Sequence, residues 1–289
     1  MHAGRPEAVS ESATDRLPRD ASVIGVAGVM AVVLAEAMAG ATLFLWLSPL
    51  WTEVKQGFFK LLGAILTVLA VLTWLSVESA VVDRYSSGGA LRATTIAAAV
   101  ATALWTVLLF ARQPAASRVV GLLSVPAWLA VLVWMGGAGR QSYPLALFQL
   151  AAGAGLLGAA TDGLLLGHWY LTDRKLPRGP IDRVTTILLV AVVGAAIAVI
   201  SAGFSGVETS TSINPLLTAG ALAPWIALGM VLATALIAGL VKAVLKGERA
   251  SAVQAATGFY YLAVVTAFTA EVAVKTRFLD TSFGPVTPG

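Results

Sequence analysis

Long apolar runs separated by short polar breaks set the pattern of this chain. Eight runs stand out: residues 23–47, 58–82, 94–110, 119–135, 145–171, 184–204, 219–245 and 252–274. A helix rising 1.5 Å per residue needs roughly 20 apolar residues to cross a hydrocarbon core about 30 Å thick. Helices are the spanning form that satisfies backbone groups within each segment, where lipid offers no partners. The pattern therefore predicts an all-α polytopic integral membrane protein, an eight-helix transmembrane bundle. Its single transmembrane domain covers 22–277, with a polar tail at 1–21, a short C-terminal tail at 278–289 and short loops that favour antiparallel neighbours.

Composition strengthens this class. Of 289 residues, 58% are hydrophobic and 12% charged, whereas a soluble domain is about 25% charged because its surface meets water. Mean hydropathy is +0.85 and the isoelectric point is near 9.6. Lys and Arg in loops beside anionic headgroups account for the basic balance, so membrane lipids are the implied partners and nucleic acid is not needed. The absence of cysteine excludes disulfides, thiolate metal sites, iron–sulfur ligation and thiol catalysis. Ala37-Met38-Ala39 resembles a signal cleavage site, but the apolar run continues too far beyond it for a signal peptide.

Charge also orients the bundle. Loops after spans one, three, five and seven carry more Lys and Arg than the opposite side, and the loop after span six, with its ETSTS stretch, carries none. The positive-inside rule then places the basic loops in the cytoplasm and both termini outside a cytoplasmic (inner) membrane. Trp51 at the exit of span one suits an interfacial belt, and Pro126 predicts a kink in span four.

Span five holds the densest set of candidates. Ala151, Gly155, Ala159, Gly163 and Gly167 recur every fourth residue and form one slowly drifting groove for helix packing. Asp162 borders that groove about 9 Å inside the expected interface, at a depth where an ionisable group is costly. His168 follows six positions later, too far for a contact along one helix, and Trp169 and Tyr170 supply either an aromatic wall or an interfacial belt. Arg174, Lys175, Arg178 and Arg183 then form a basic loop on the cytoplasmic side.

Three further acids lie inside spans. Glu36 sits mid-span among Ala35, Ala37, Ala39 and Gly40, which let another helix approach. Glu78 is one turn from a span end, within reach of water. Glu271 precedes Lys275 by four, the spacing of an intrahelical ion pair. Thr257, Tyr261, Val264, Phe268 and Glu271 trace one face of span eight, a candidate polar lining. Spans one and five each place an acid before a Trp-containing end, but nothing else supports an internal repeat. Lys242 and Lys246 share a face and are placed to snorkel.

No nucleotide, metalloprotease or serine-hydrolase motif occurs. A haem held by two imidazoles is disfavoured, since His2 lies in the tail and only His168 is near a span. The favoured expectation is a transporter of protons, cations or a small solute. It uses Glu36, Asp162 and Glu271, with His168, Trp169 and Tyr170 at the cytoplasmic mouth. The alternatives left open are a quinone-binding or non-catalytic subunit of a membrane redox complex and, more weakly, a lipid-modifying enzyme holding phosphate with the basic loop. A homo-oligomer or a complex with other membrane subunits fits either of the first two.

Overall fold

The computed structural model describes residues 25–47, 50–80, 86–139, 141–173, 175–203, 219–247 and 250–279. They form nine helices: α1 (Gly25–Leu47), α2 (Leu50–Glu53), α3 (Gln56–Ala80), α4 (Ser86–Phe110), α5 (Pro114–Gly136), α6 (Tyr143–Thr172), α7 (Gly179–Ala202), α8 (Ala219–Leu245) and α9 (Ala250–Phe278). All except the four-residue α2 are long and apolar enough to cross a membrane. The chain is a multi-pass helical membrane bundle, and the described residues contain no strand.

Two helices form the centre. The apolar stretch of α1 is 83% buried and that of α6 is 61% buried, against 28–44% for the other six. Their sequences explain why: α1 is largely Ala, Gly and Val, and small side chains let several helices approach one axis. α1 packs against α3, α5, α6 and α9, while α6 packs against α1, α5, α7 and α9. The hairpins α3–α4, α4–α5 and α8–α9 complete the surround.

The surrounding helices divide into two faces. Along α3, Leu62, Leu66, Ala70, Thr73 and Val77 are buried at helical spacing. Val68, Leu72 and Leu75 point outward, as do Val100, Leu104 and Val107 on α4, and Leu232, Leu236 and Leu240 on α8. Such outward apolar rows suit lipid. Between helices, hydroxyls act as glue: Thr67 meets Thr106 at 2.9 Å, Thr234 meets Thr266 at 2.7 Å, and Trp128 donates to Thr102 at 3.0 Å.

Alternating spans give the bundle two ends. Loops after the first, fifth and seventh spans meet through Lys55–Asp173 at 2.9 Å, Arg183–Glu53 at 2.5 Å and Lys242–Asp182 at 2.6 Å. Arg178 adds hydrogen bonds to the carbonyls of Leu245 and Gly247. This end is called the basic face below. At the other end Arg277 donates to the Gly203 carbonyl at 2.8 Å, and Phe278 lies against Gly139. Gly203, at φ 77°, ends α7 in a backbone conformation that favours glycine. The end holding these groups is called the terminal face.

Several sequence expectations change here. α6 runs to Thr172, one residue beyond the expected Leu171, so Asp162 lies ten residues from the helix end, about 15 Å. Lys242 is held by Asp182 instead of reaching freely for headgroups. Glu78 pairs with Arg92 at 3.3 Å and accepts from Trp74 at 3.2 Å. Residues 1–24 and 280–289, the ETSTS loop, Arg174 and the side chain of Trp51 lie outside the described residues, so His2 does too, while Phe278 and Leu279 of the expected C-terminal tail belong to the packed bundle.

Candidate functional site

The deepest charges meet between α1, α6 and α9. Lys275 Nζ lies 2.7 Å from Glu36 Oε1 and 3.3 Å from Glu271 Oε2. Lys275 and Glu36 are fully buried and Glu271 is 3% exposed. The expected Glu271–Lys275 pair is present, but it is the smaller part of a three-residue cluster reaching across helices. Its angles fall outside hydrogen-bond geometry, and Glu36 Oε2 has no hydrogen-bond partner among the described residues. The contacts are therefore ion pairs by proximity, with lone pairs still available.

Gly153 makes room for them. A methyl on this glycine would lie 2.5 Å from Glu36 Oε1 and 2.8 Å from Glu271 Oε2, both too close for any side chain. One turn earlier on the same face, Gln149 is 1% exposed and donates from Nε2 to Gln141 Oε1 at 2.7 Å. Its own Oε1 is buried and has no hydrogen-bond partner among the described residues. Two carboxyl groups and one ammonium give the cluster one excess negative charge when all are ionised. A buried group of that charge must be neutralised by a proton or a monovalent cation.

Beyond the cluster the central helices close. α1 and α6 run parallel, and a Cβ on Gly158 would sit 2.6 Å from the backbone nitrogen of Ala41 and closer still to Gly40. A Cβ on Gly40 would likewise overlap the Ala154 carbonyl. This backbone-to-backbone seam departs from the expected ladder. Ala151 is exposed, Gly155 has only Ala191 at 3.6 Å, and Ala159 is fully buried. Gly163 receives the Tyr260 ring of α9 and Gly167 receives Thr257. The fourfold spacing drifts by about 40° per step, so the row visits several neighbours in succession.

Asp162 lies one turn past Gly158 on the same helical face. It is 1% exposed, and neither carboxyl oxygen has a hydrogen-bond partner among the described residues. The helix-tying hydrogen bond that a structural Asp would make is not found there. Nearby polar groups satisfy one another: Tyr260 and Thr185 hydroxyls meet at 2.8 Å.

Comparison with protein-family models, curated proteins and solved structures finds no match to this chain. Chemistry must be read from the side chains alone. Among the described residues no three His, Cys, Asp or Glu side chains gather to hold a metal.

The other candidates occupy the basic face. His168 is exposed. Trp169 turns toward α3, its ring against Gly57 and 6.3 Å from that of Phe58. Tyr170 donates its hydroxyl to the Pro177 carbonyl. The two aromatics are thus used in packing and form no wall around His168. Arg178 and Arg183 are engaged by carbonyls and by Glu53, while Lys175 is exposed. A cleft of about 250 Å³ on this face, lined by Arg112, Arg118, Gln56 and Phe59, lies between other helices.

On α9 the expected face shifts by one position. Tyr261 is 50% exposed, whereas Thr257, Tyr260 and Glu271 are buried. Sequence reasoning missed Lys275 as a bridge to Glu36, along with Gln149, Gln141, Gly153 and the Gly40–Gly158 seam. Only the Gln149–Gly153 spacing, a polar residue one turn before a glycine, offered a signal.

Proposed function

We propose that this protein moves protons or monovalent cations across the membrane, using Glu36, Glu271 and Lys275 as one buried site and Asp162 as a second. The observation that carries the reading is the buried cluster itself, two acids against one base with an unpartnered carboxylate oxygen. Its excess charge favours uptake of one positive charge. The adjoining lysine keeps the site from holding a divalent ion strongly, because it already supplies one charge of that sign. Asp162, without a hydrogen-bond partner among the described residues, is the more readily exchanged group.

The quinone and lipid-enzyme alternatives draw less support. Each needs free groups near His168, where Tyr170, Arg178 and Arg183 are engaged within the protein.

Purified protein in proteoliposomes with an internal pH dye tests the reading. An imposed potassium diffusion potential should drive acidification or a cation-coupled pH change above that of empty liposomes. Asp162→Asn keeps the size of the side chain and removes its titratable charge, so flux should fall at least tenfold while thermal stability holds. A stable Asp162→Asn protein with wild-type flux would remove Asp162 as a carrier. Wild-type liposomes no different from empty ones, with protons, Na⁺ and K⁺ each tried, would end the transport reading.

A further inference from the structure

We infer that the Gly40–Gly158 seam is a barrier dividing the protein interior into two half-pathways, and that Gln149 and Gln141 join the Glu36–Glu271–Lys275 site to the terminal face alone. The inference rests on the transport reading for its purpose, but its geometry stands separately. α1 and α6 are parallel, so the order along both is the same: the cluster at Glu36 and Gly153, then the seam, then Asp162. A path along these two helices from the cluster to Asp162 must pass a contact too close for one methyl group, let alone a water molecule.

Toward the terminal face the same helix carries one buried polar side chain, Gln149. Gln149 lies one turn from Gly153, with a buried, unpartnered carbonyl oxygen and an amide group already bonded to Gln141. Gln141 is partly exposed, in the short connection between α5 and α6. From the terminal face inward the order is Gln141, Gln149, then Gly153 against the Glu36 and Glu271 carboxyl groups paired with Lys275, a succession of donors and acceptors. Water can bridge polar groups in such a succession. Around the seam, Leu156, Leu157, Ala159 and Ala160, which flank Gly158 on α6, are all fully buried apolar residues. A site near mid-membrane with access from one side is the arrangement that alternating access requires of one of its states.

The cysteine-free chain allows a direct test. Single variants Gln141→Cys, Gln149→Cys, Leu156→Cys and Lys246→Cys are labelled in membrane vesicles with a small impermeant methanethiosulfonate, applied from each side. Gln141→Cys reports the terminal face, Lys246→Cys the basic face, and Leu156→Cys the rate of a sealed position. Gln149→Cys should react from the Gln141 side, at least tenfold faster than Leu156→Cys, and not from the Lys246 side. A water-soluble carbodiimide on wild-type protein gives a measurement needing no variant. It should modify or cross-link Glu36 or Glu271 only when applied from the terminal face. Reaction from the basic face in either experiment overturns the inference, and so does a Gln149→Cys rate no greater than that of Leu156→Cys. Both readouts are independent of flux, so a protein that labels as expected but transports nothing would lose the transport reading and keep the barrier.

Discussion

The two buried acid sites differ in company. Glu36 and Glu271 share a lysine, whereas Asp162, one seam away, faces no ionic or hydrogen-bonding partner among the described residues. The contrast separates two ways a membrane interior tolerates carboxyl groups. A cluster is interdependent, because removing one member strands the others without compensation. A lone acid has nothing to strand. It can be neutralised by a proton without disturbing a neighbour, which suits a group that changes state in each cycle.

Breaking the cluster should have the largest effect on stability. Lys275→Met leaves two carboxyls buried against each other, and loss of one partner from such a set typically costs about 3–5 kcal/mol. The variant should unfold far below wild type in detergent melts or fail to accumulate. Adding Glu36→Gln and Glu271→Gln should restore much of the loss, and a triple variant as unstable as Lys275→Met would show that Lys275 acts through packing.

Next comes the seam between the sites. Gly158→Leu forces a branched side chain into the Gly40 backbone, and overpacking of this kind costs about 1–3 kcal/mol. Gly155→Leu should cost less, since the nearest atom there is Ala191 Cβ at 3.6 Å. Equal melting temperatures for the two would place the tight contact elsewhere.

Smaller still is the expected effect of Asp162→Asn on stability, within about 1 kcal/mol, because no hydrogen bond or ion pair is lost. A drop as large as that of Lys275→Met would reveal a partner for Asp162 and erase the contrast. His168→Gln should be the quietest. The side chain is exposed, and such surface substitutions usually stay within about 0.5 kcal/mol. A greater loss would give His168 a structural role.

Much of this architecture was legible because lipid imposes simple rules. Eight runs of apolar residues became eight long helices, with ends shifted by up to eight residues: the third begins at Ser86 and not near 94. Glu36 and Asp162 were recognisable because an acid among apolar neighbours is costly wherever it lands. Their partners were not recognisable. Lys275 is near the end of its span, where sequence alone gives it an i,i+4 partner and a route to water. The depth at which α9 meets α1 depends on three-dimensional packing. The glycine ladder misled for a related reason: a fourfold repeat marks small residues but not which neighbour each one meets. Gly158 is off that ladder and makes the closer contact.

The depth of the cluster carries an electrical consequence. Glu36 lies ten residues from the start of its 22-residue span, close to the middle of that apolar stretch. Moving one elementary charge across a full membrane potential of 100 mV involves about 2.3 kcal/mol. On the proposed transport reading, a cation travelling from the terminal face to Glu36 would cross about half of that drop, or about 1.2 kcal/mol. Occupancy of the site would then change roughly sevenfold per 100 mV through field alone. The buried triad would thus act as a voltmeter as well as a binding site, filling or emptying with membrane polarity before any helix moves.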